Sequence, residues 1–82
     1  MRKSFRFIGN ATRTDVAGAA FINDLAESAI LGECISIAAA WGDLDEVTGE
    51  ALISSATIYE AVKRLTKTDY GTRQQQHHRA TR

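Results

Sequence analysis

The 82-residue chain has no proline, a single cysteine and no excess of either charge, ten Lys and Arg being matched by ten Asp and Glu. Each absence removes a class of protein. One cysteine, Cys34, cannot build an internal disulfide framework and suits a reducing compartment. No apolar run approaches the roughly 20 residues that cross a bilayer. The opening Met1-Arg2-Lys3-Ser4-Phe5-Arg6 is basic but is not followed by the apolar core of a secretory signal. A cytoplasmic protein with no membrane partner is therefore expected. Phosphate-binding glycine loops, a nucleophile elbow and a dinucleotide fingerprint are missing as well.

What is present is an unusual order of charge. From Met1 to Thr14 every charge is positive (Arg2, Lys3, Arg6, Arg13). From Asp15 to Val62 every charge is negative, and from Lys63 onward the chain is basic again apart from Asp69. An acidic body between two basic ends can neutralise itself, pair head to tail with a second copy, or offer two electrostatic surfaces.

Residues Lys3 to Ile8 alternate, Phe5 and Phe7 against Ser4, Arg6 and Ile8, which reads as a short strand or extended arm ending at the Gly9-Asn10 turn. Helix signals begin at Thr12 to Asp15, with Thr14 or Asp15 placed to cap the first turn. The proline-free, alanine-rich stretch from Val16 to Trp41 puts Ile22, Leu25, Ala26, Ala29 and Ile30 on one face. Past Gly32 the apolar stripe shifts to Ile30, Cys34, Ile37 and Trp41, so the helix either breaks at Gly32 or changes neighbours there. Gly42 suits a left-handed cap, and Asp43 with Glu46 suggests a capping box for the next helix. That helix is expected from Leu44 to Tyr70. Its seam of Leu44, Val47, Ala51, Ser54, Ile58, Ala61 and Leu65 is spaced alternately by three and four. Gly71 stops it, and 72–82 reads as a disordered basic tail. The expected fold is all-α: a helical hairpin of two long helices over 14–71, after a basic arm or short strand over 1–13.

Candidate chemistry is sparse. Asp43, Asp45, Glu46 and Glu50 form the densest acidic cluster, but Val47 stands where a calcium loop needs an oxygen ligand and Ser54 where it needs a bidentate glutamate, so helix-start carboxylates are the simpler reading. His77 and His78 are adjacent in the tail and make a poor metal pair. Cys34 sits on an apolar stripe as a small buried hydrophobe. No metal, no cofactor and no enzymatic activity are expected.

A strand followed by two helices resembles the ribbon-helix-helix repressors over the first third of the chain. That resemblance implies paired strands from two chains, with Ser4 and Arg6 facing the DNA major groove and Phe5 and Phe7 facing inward. Ile8 then stands where a polar reader belongs, and the following helices are longer than in that family. On this alternative Arg2, Lys3, Ser4, Arg6 and Arg13 contact nucleic acid.

The favoured expectation is a non-enzymatic adaptor, inhibitor or regulator that binds protein, as a homo-oligomer. One hairpin cannot bury both its seam and the second apolar face of Leu52, Ile53 and Tyr59. Those three, with Asp43, Asp45, Glu46 and Glu50, are the expected interface, suited to a partner with a basic surface. A structural, self-assembling subunit is the third reading.

Overall fold

A computed structural model of the chain describes residues 4–66. Arg2, Lys3, the end of the last expected helix and the tail with His77 and His78 lie outside the described residues. In order come strand β1 (Phe5–Phe7), helix α1 (Arg13–Asn23), helix α2 (Glu27–Trp41), strand β2 (Ala51–Ile53) and a third helix, α3, over residues 55–66. The fold is mostly helical, with three helices and a two-stranded parallel sheet among the described residues. The two-helix hairpin is not what forms.

The N-terminal strand is real but not solitary. Phe5, Arg6 and Phe7 pair in parallel with Ala51, Leu52 and Ile53. The Ala51 amide donates to the Ser4 carbonyl, and the Ile8 amide donates to the Ile53 carbonyl, both at 3.0 Å. Alternation then sorts the side chains: Phe5 and Phe7 pack on the core while Arg6 stays exposed. The two rings meet edge to face, with centroids 5.6 Å apart.

Helix α1 is capped by Thr12, two residues before the first of the expected caps. The Thr12 hydroxyl accepts the Asp15 amide at 3.4 Å, and the Thr12 amide donates back to the Asp15 carboxylate at 2.8 Å. This reciprocal pair satisfies two amides that the first turn leaves orphaned. The helix stops at Asp24, which adopts the left-handed conformation with φ 58°. The Leu25 amide then reaches back to the Ala20 carbonyl at 3.1 Å. Asp and Asn are the non-glycine residues that tolerate this conformation best, so Asn23-Asp24 was the break signal. The expected break at Gly32 does not occur. Gly32 lies exposed inside α2, whose burial of Ile30, Cys34, Ile37 and Ala38 outweighs the roughly 1 kcal/mol that a mid-helix glycine costs. Gly42 does take the left-handed cap, with φ 77°.

The largest departure lies between 43 and 53, which is a hairpin rather than the first turns of a long helix. Leu44 bridges Ala51 in antiparallel fashion, the Asp45 amide donates to the Glu50 carbonyl at 2.8 Å, and the Leu52 amide donates to the Asp43 carbonyl at 2.9 Å. Gly49 closes the turn at φ 76°, in the region a helix interior excludes. Half of the supposed seam was therefore coincidence. Leu44 and Val47 are exposed, at 43% and 92%, while Ala51 and Ile53 are buried because alternate residues of β2 face inward. From residue 55 onward the three-and-four spacing is genuine: Ile58 and Ala61 are buried, with Leu65 packed against them. Ser54 caps this helix. Its hydroxyl accepts the Thr57 amide at 3.3 Å, and the buried Thr57 hydroxyl accepts the Ser54 amide at 3.1 Å.

Since β1 and β2 run parallel and each leads into a helix, α1 and α3 start at the same end of the sheet and lie side by side. Helix α2 packs against α1 and β2. The core is small, made of Ile30, Ile37, Ile53, Val16 and Cys34 with several alanines.

Candidate protein-docking face

Between α1 and α3 runs a groove of about 700 Å³, lined by Thr14, Asp15 and Ile22 from one helix and by Ile58, Tyr59 and Val62 from the other. Ile22 is 78% exposed and Tyr59 70%. Phe21, the residue before Ile22 on α1, is 88% exposed. Scattered exposed apolar residues need no explanation, but large ones gathered along one groove mark interaction surfaces. Asp15 is the one charged lining residue among those described, and its carboxylate is already engaged at the start of α1 by the Thr12 amide and, at 3.3 Å, by the Thr12 hydroxyl.

Of the expected interface residues, Tyr59 is on this face. Leu52 is half-buried in β2, and Ile53 is fully buried. Ile53 is thereby corrected from surface to core, since β2 is the inner strand, with β1 on one side and Leu44 on the other. Phe21 and Ile22 were missed. Read on a helix running to Trp41, Ile22 shared a face with Leu25, Ala29 and Ile30. That face does not exist once the helix ends at Asn23, and Val16 and Ala20 turn inward instead.

The acidic cluster lies away from the groove, on the hairpin, and is largely occupied with itself. Asp45 Oδ1 accepts the amides of Val47 and Thr48, both at 2.8 Å, and Oδ2 meets Arg6 Nη2 at 2.6 Å. The Thr48 amide, then that of Val47, holds the Asp45 carboxyl below the usual carboxylate range, with Arg6 adding to the effect. Glu50 faces Arg6 Nε at 3.5 Å and accepts the Thr48 hydroxyl at 3.2 Å. Asp43 is half-buried and Glu46 exposed. Neither fills the expected capping box, because no helix starts there.

The same contacts bear on the nucleic-acid alternative. Arg6 sits within its own two ion pairs. Ser4 and Arg13 are exposed, Ser4 giving its carbonyl to β2. The strand that a ribbon-helix-helix arrangement would pair with a second chain is paired instead with β2 of its own chain.

Cys34 is fully buried, and burial, reinforced by neighbouring Glu33, pushes its thiol up to about 11. The protonated sulfur reaches the Thr57 carbonyl at 3.9 Å. Its surroundings are those of a packed hydrophobe. Among the described residues no group of three or more His, Cys, Asp or Glu is placed to hold a metal ion. None of their helices is long and apolar enough to cross a membrane. The chain matches no family model, no curated protein and no solved structure.

Proposed function

We propose that this chain is a non-enzymatic regulator or adaptor that acts by binding protein, and that the groove between α1 and α3 is where it binds. The observation that carries the reading is the exposure of Phe21, Ile22 and Tyr59 on and beside one groove. Their burial by a partner would remove three large and mostly exposed side chains from water, and aromatic anchors seated in grooves are where binding energy concentrates. The buried, protonated Cys34 supports a non-catalytic reading. A basic surface on the partner, expected from the acidic body, would meet Glu46 and Asp43 on the hairpin rather than the groove.

The test is a nuclease-treated pull-down from host lysate, comparing the natural chain with Tyr59→Arg. A stoichiometric protein that survives nuclease and is lost with Tyr59→Arg supports the reading. Recovery of nucleic acid alone, or of a protein indifferent to Tyr59→Arg, overturns it.

A further inference from the structure

We propose that the basic segment 67–82 of the same chain folds back onto the electronegative end of α1, around Asp24 and Glu27, and there covers one mouth of the groove. The contact goes beyond the docking reading, and only its role as a barrier to a partner rests on that reading.

The described residues carry nine carboxylates against four Lys and Arg, a charge of −5. The residues outside them carry six Lys and Arg against Asp69 alone, a charge of +5. Of those six, Lys67, Arg73, Arg79 and Arg82 belong to segment 67–82. Part of the acidic surface is already answered from within. Arg6 pairs with Asp45 and Glu50, Arg64 with Glu33 and Glu60, and Asp15 is bound into its capping box. Asp24, Glu27, Asp43 and Glu46 remain, none of them in an ion pair among the described residues.

Helix ends and position separate these two pairs. Asp24 caps α1, which has no Lys or Arg in its last turn. The carbonyls of a helix C-terminus carry roughly half a negative charge, so the end of α1 and Asp24 together attract a cation that the helix itself does not supply. Asp43 follows the equally cation-free end of α2, but it is half-buried and its hairpin already holds Arg6.

The end of α3 lies beside the first pair. Helices α1 and α3 start at the same end of the sheet, lie side by side and are of similar length, so residue 66 finishes near Asn23 and Asp24. Val62 already lines the groove together with Ile22 and Asn23. Lys67 follows at once, and the sixteen residues from there to Arg82 can span about 50 Å, far more than the turn requires. A segment held at Asp24 overlies the groove where Ile22 and Asn23 line it. Opposite charge on a short tether makes this contact local, and a groove partner must displace it.

The test is paramagnetic broadening in the full chain carrying a nitroxide on Ala80→Cys, with buried Cys34 left unlabelled in the folded state. At ~0.01 M salt, where exposed charges act across about 30 Å, the amides of Ile22, Asn23, Asp24 and Glu27 should broaden most, and that of Val47 on the hairpin least. At ~1 M salt the screening length falls to about 3 Å and the pattern should vanish. Asp24→Asn combined with Glu27→Gln should abolish it too, and asparagine tolerates the left-handed backbone at position 24, so the fold is kept. The same double variant should capture about two- to fivefold more of a nuclease-resistant partner, because the open groove is more populated. No broadening, broadening strongest at Asp43 and Glu46, or a pattern that survives the double variant overturns the proposal. So does the same pattern between a spin-labelled copy and a separate isotope-labelled copy. A confirmed contact with no gain in capture overturns the barrier. If the contact is absent while Tyr59→Arg still abolishes capture, the back-folded segment falls and the docking reading stands. If the contact is present and capture is indifferent to Tyr59→Arg, the docking reading falls and the contact stands.

Discussion

Residues 43–53 carry four carboxylates, and two of these, Asp45 and Glu50, are held by Arg6 and by their own turn. The groove between α1 and α3 carries one carboxylate and leaves Ile22 and Tyr59 to solvent. The conspicuous charges close a local structure, while the inconspicuous apolar residues face outward. Chemical prominence in a sequence is therefore a poor guide to availability. A carboxylate that follows a glycine cap and precedes a Thr-Gly pair has backbone amides to accept. An isoleucine one residue from a helix end has little of the core left to cover it.

Substitutions that separate inward-facing from outward-facing groups put this contrast to the test. The largest effect belongs to Ile53, which lies only a few positions from the hairpin carboxylates yet is fully buried. Ile53→Ala should cost about 2–5 kcal/mol in denaturant unfolding, as expected for a core side chain replaced by a cavity. A cost below about 0.5 kcal/mol would place it on the surface after all. Next comes Thr57→Val, which keeps the shape but removes the buried acceptor of the Ser54 amide. A loss of about 1–3 kcal/mol is expected, with earlier fraying of α3 in hydrogen exchange.

Cys34 sharpens the inward side further through pH. With the folded thiol raised to about 11 from an ordinary 9.0, the unfolded chain ionises first as pH rises. The stabilisation is complete below the ordinary value and is lost across the interval up to the raised one. Cys34→Ala should flatten that part of the stability profile, and the folded thiol should resist alkylation until the chain is unfolded. Smaller still is Arg6→Ala. Its ion pairs are exposed, so a loss of about 0.2–1 kcal/mol is expected, shrinking as salt is added. At the end of the series, Tyr59→Arg should change stability by no more than about 0.5 kcal/mol. Comparable destabilisation by Tyr59→Arg and Ile53→Ala would erase the distinction between the two regions.

Much of the local structure could be read from the residues, and the failures share one cause. Phe5-Arg6-Phe7 as a strand, Gly42 as a left-handed cap and the stripe of Ile58, Ala61 and Leu65 all rest on local patterning, and all three are present. The hairpin and the end of α1 were missed because a three-and-four spacing of apolar residues was allowed to outrank turn chemistry. Asp45 with Thr48-Gly49, and Asn23-Asp24, were the stronger signals, since they specify backbone angles a helix cannot accommodate. The parallel partner of β1 was not legible at all. Pairing between distant segments leaves no mark on either one alone. The exposure of Tyr59 follows from its off-seam position, whereas that of Phe21 and Ile22 depends on where α1 stops.

The parallel pairing also sets an order of events. β1 is synthesised well before its partner Ala51–Ile53, which follows two helices and the first arm of a hairpin. Until those residues exist, Phe5 and Phe7 have no strand to join and no finished core to cover. A nascent chain must therefore hold two phenyl rings in reserve while α1 and α2 take shape, and the sheet forms only once β2 has been made.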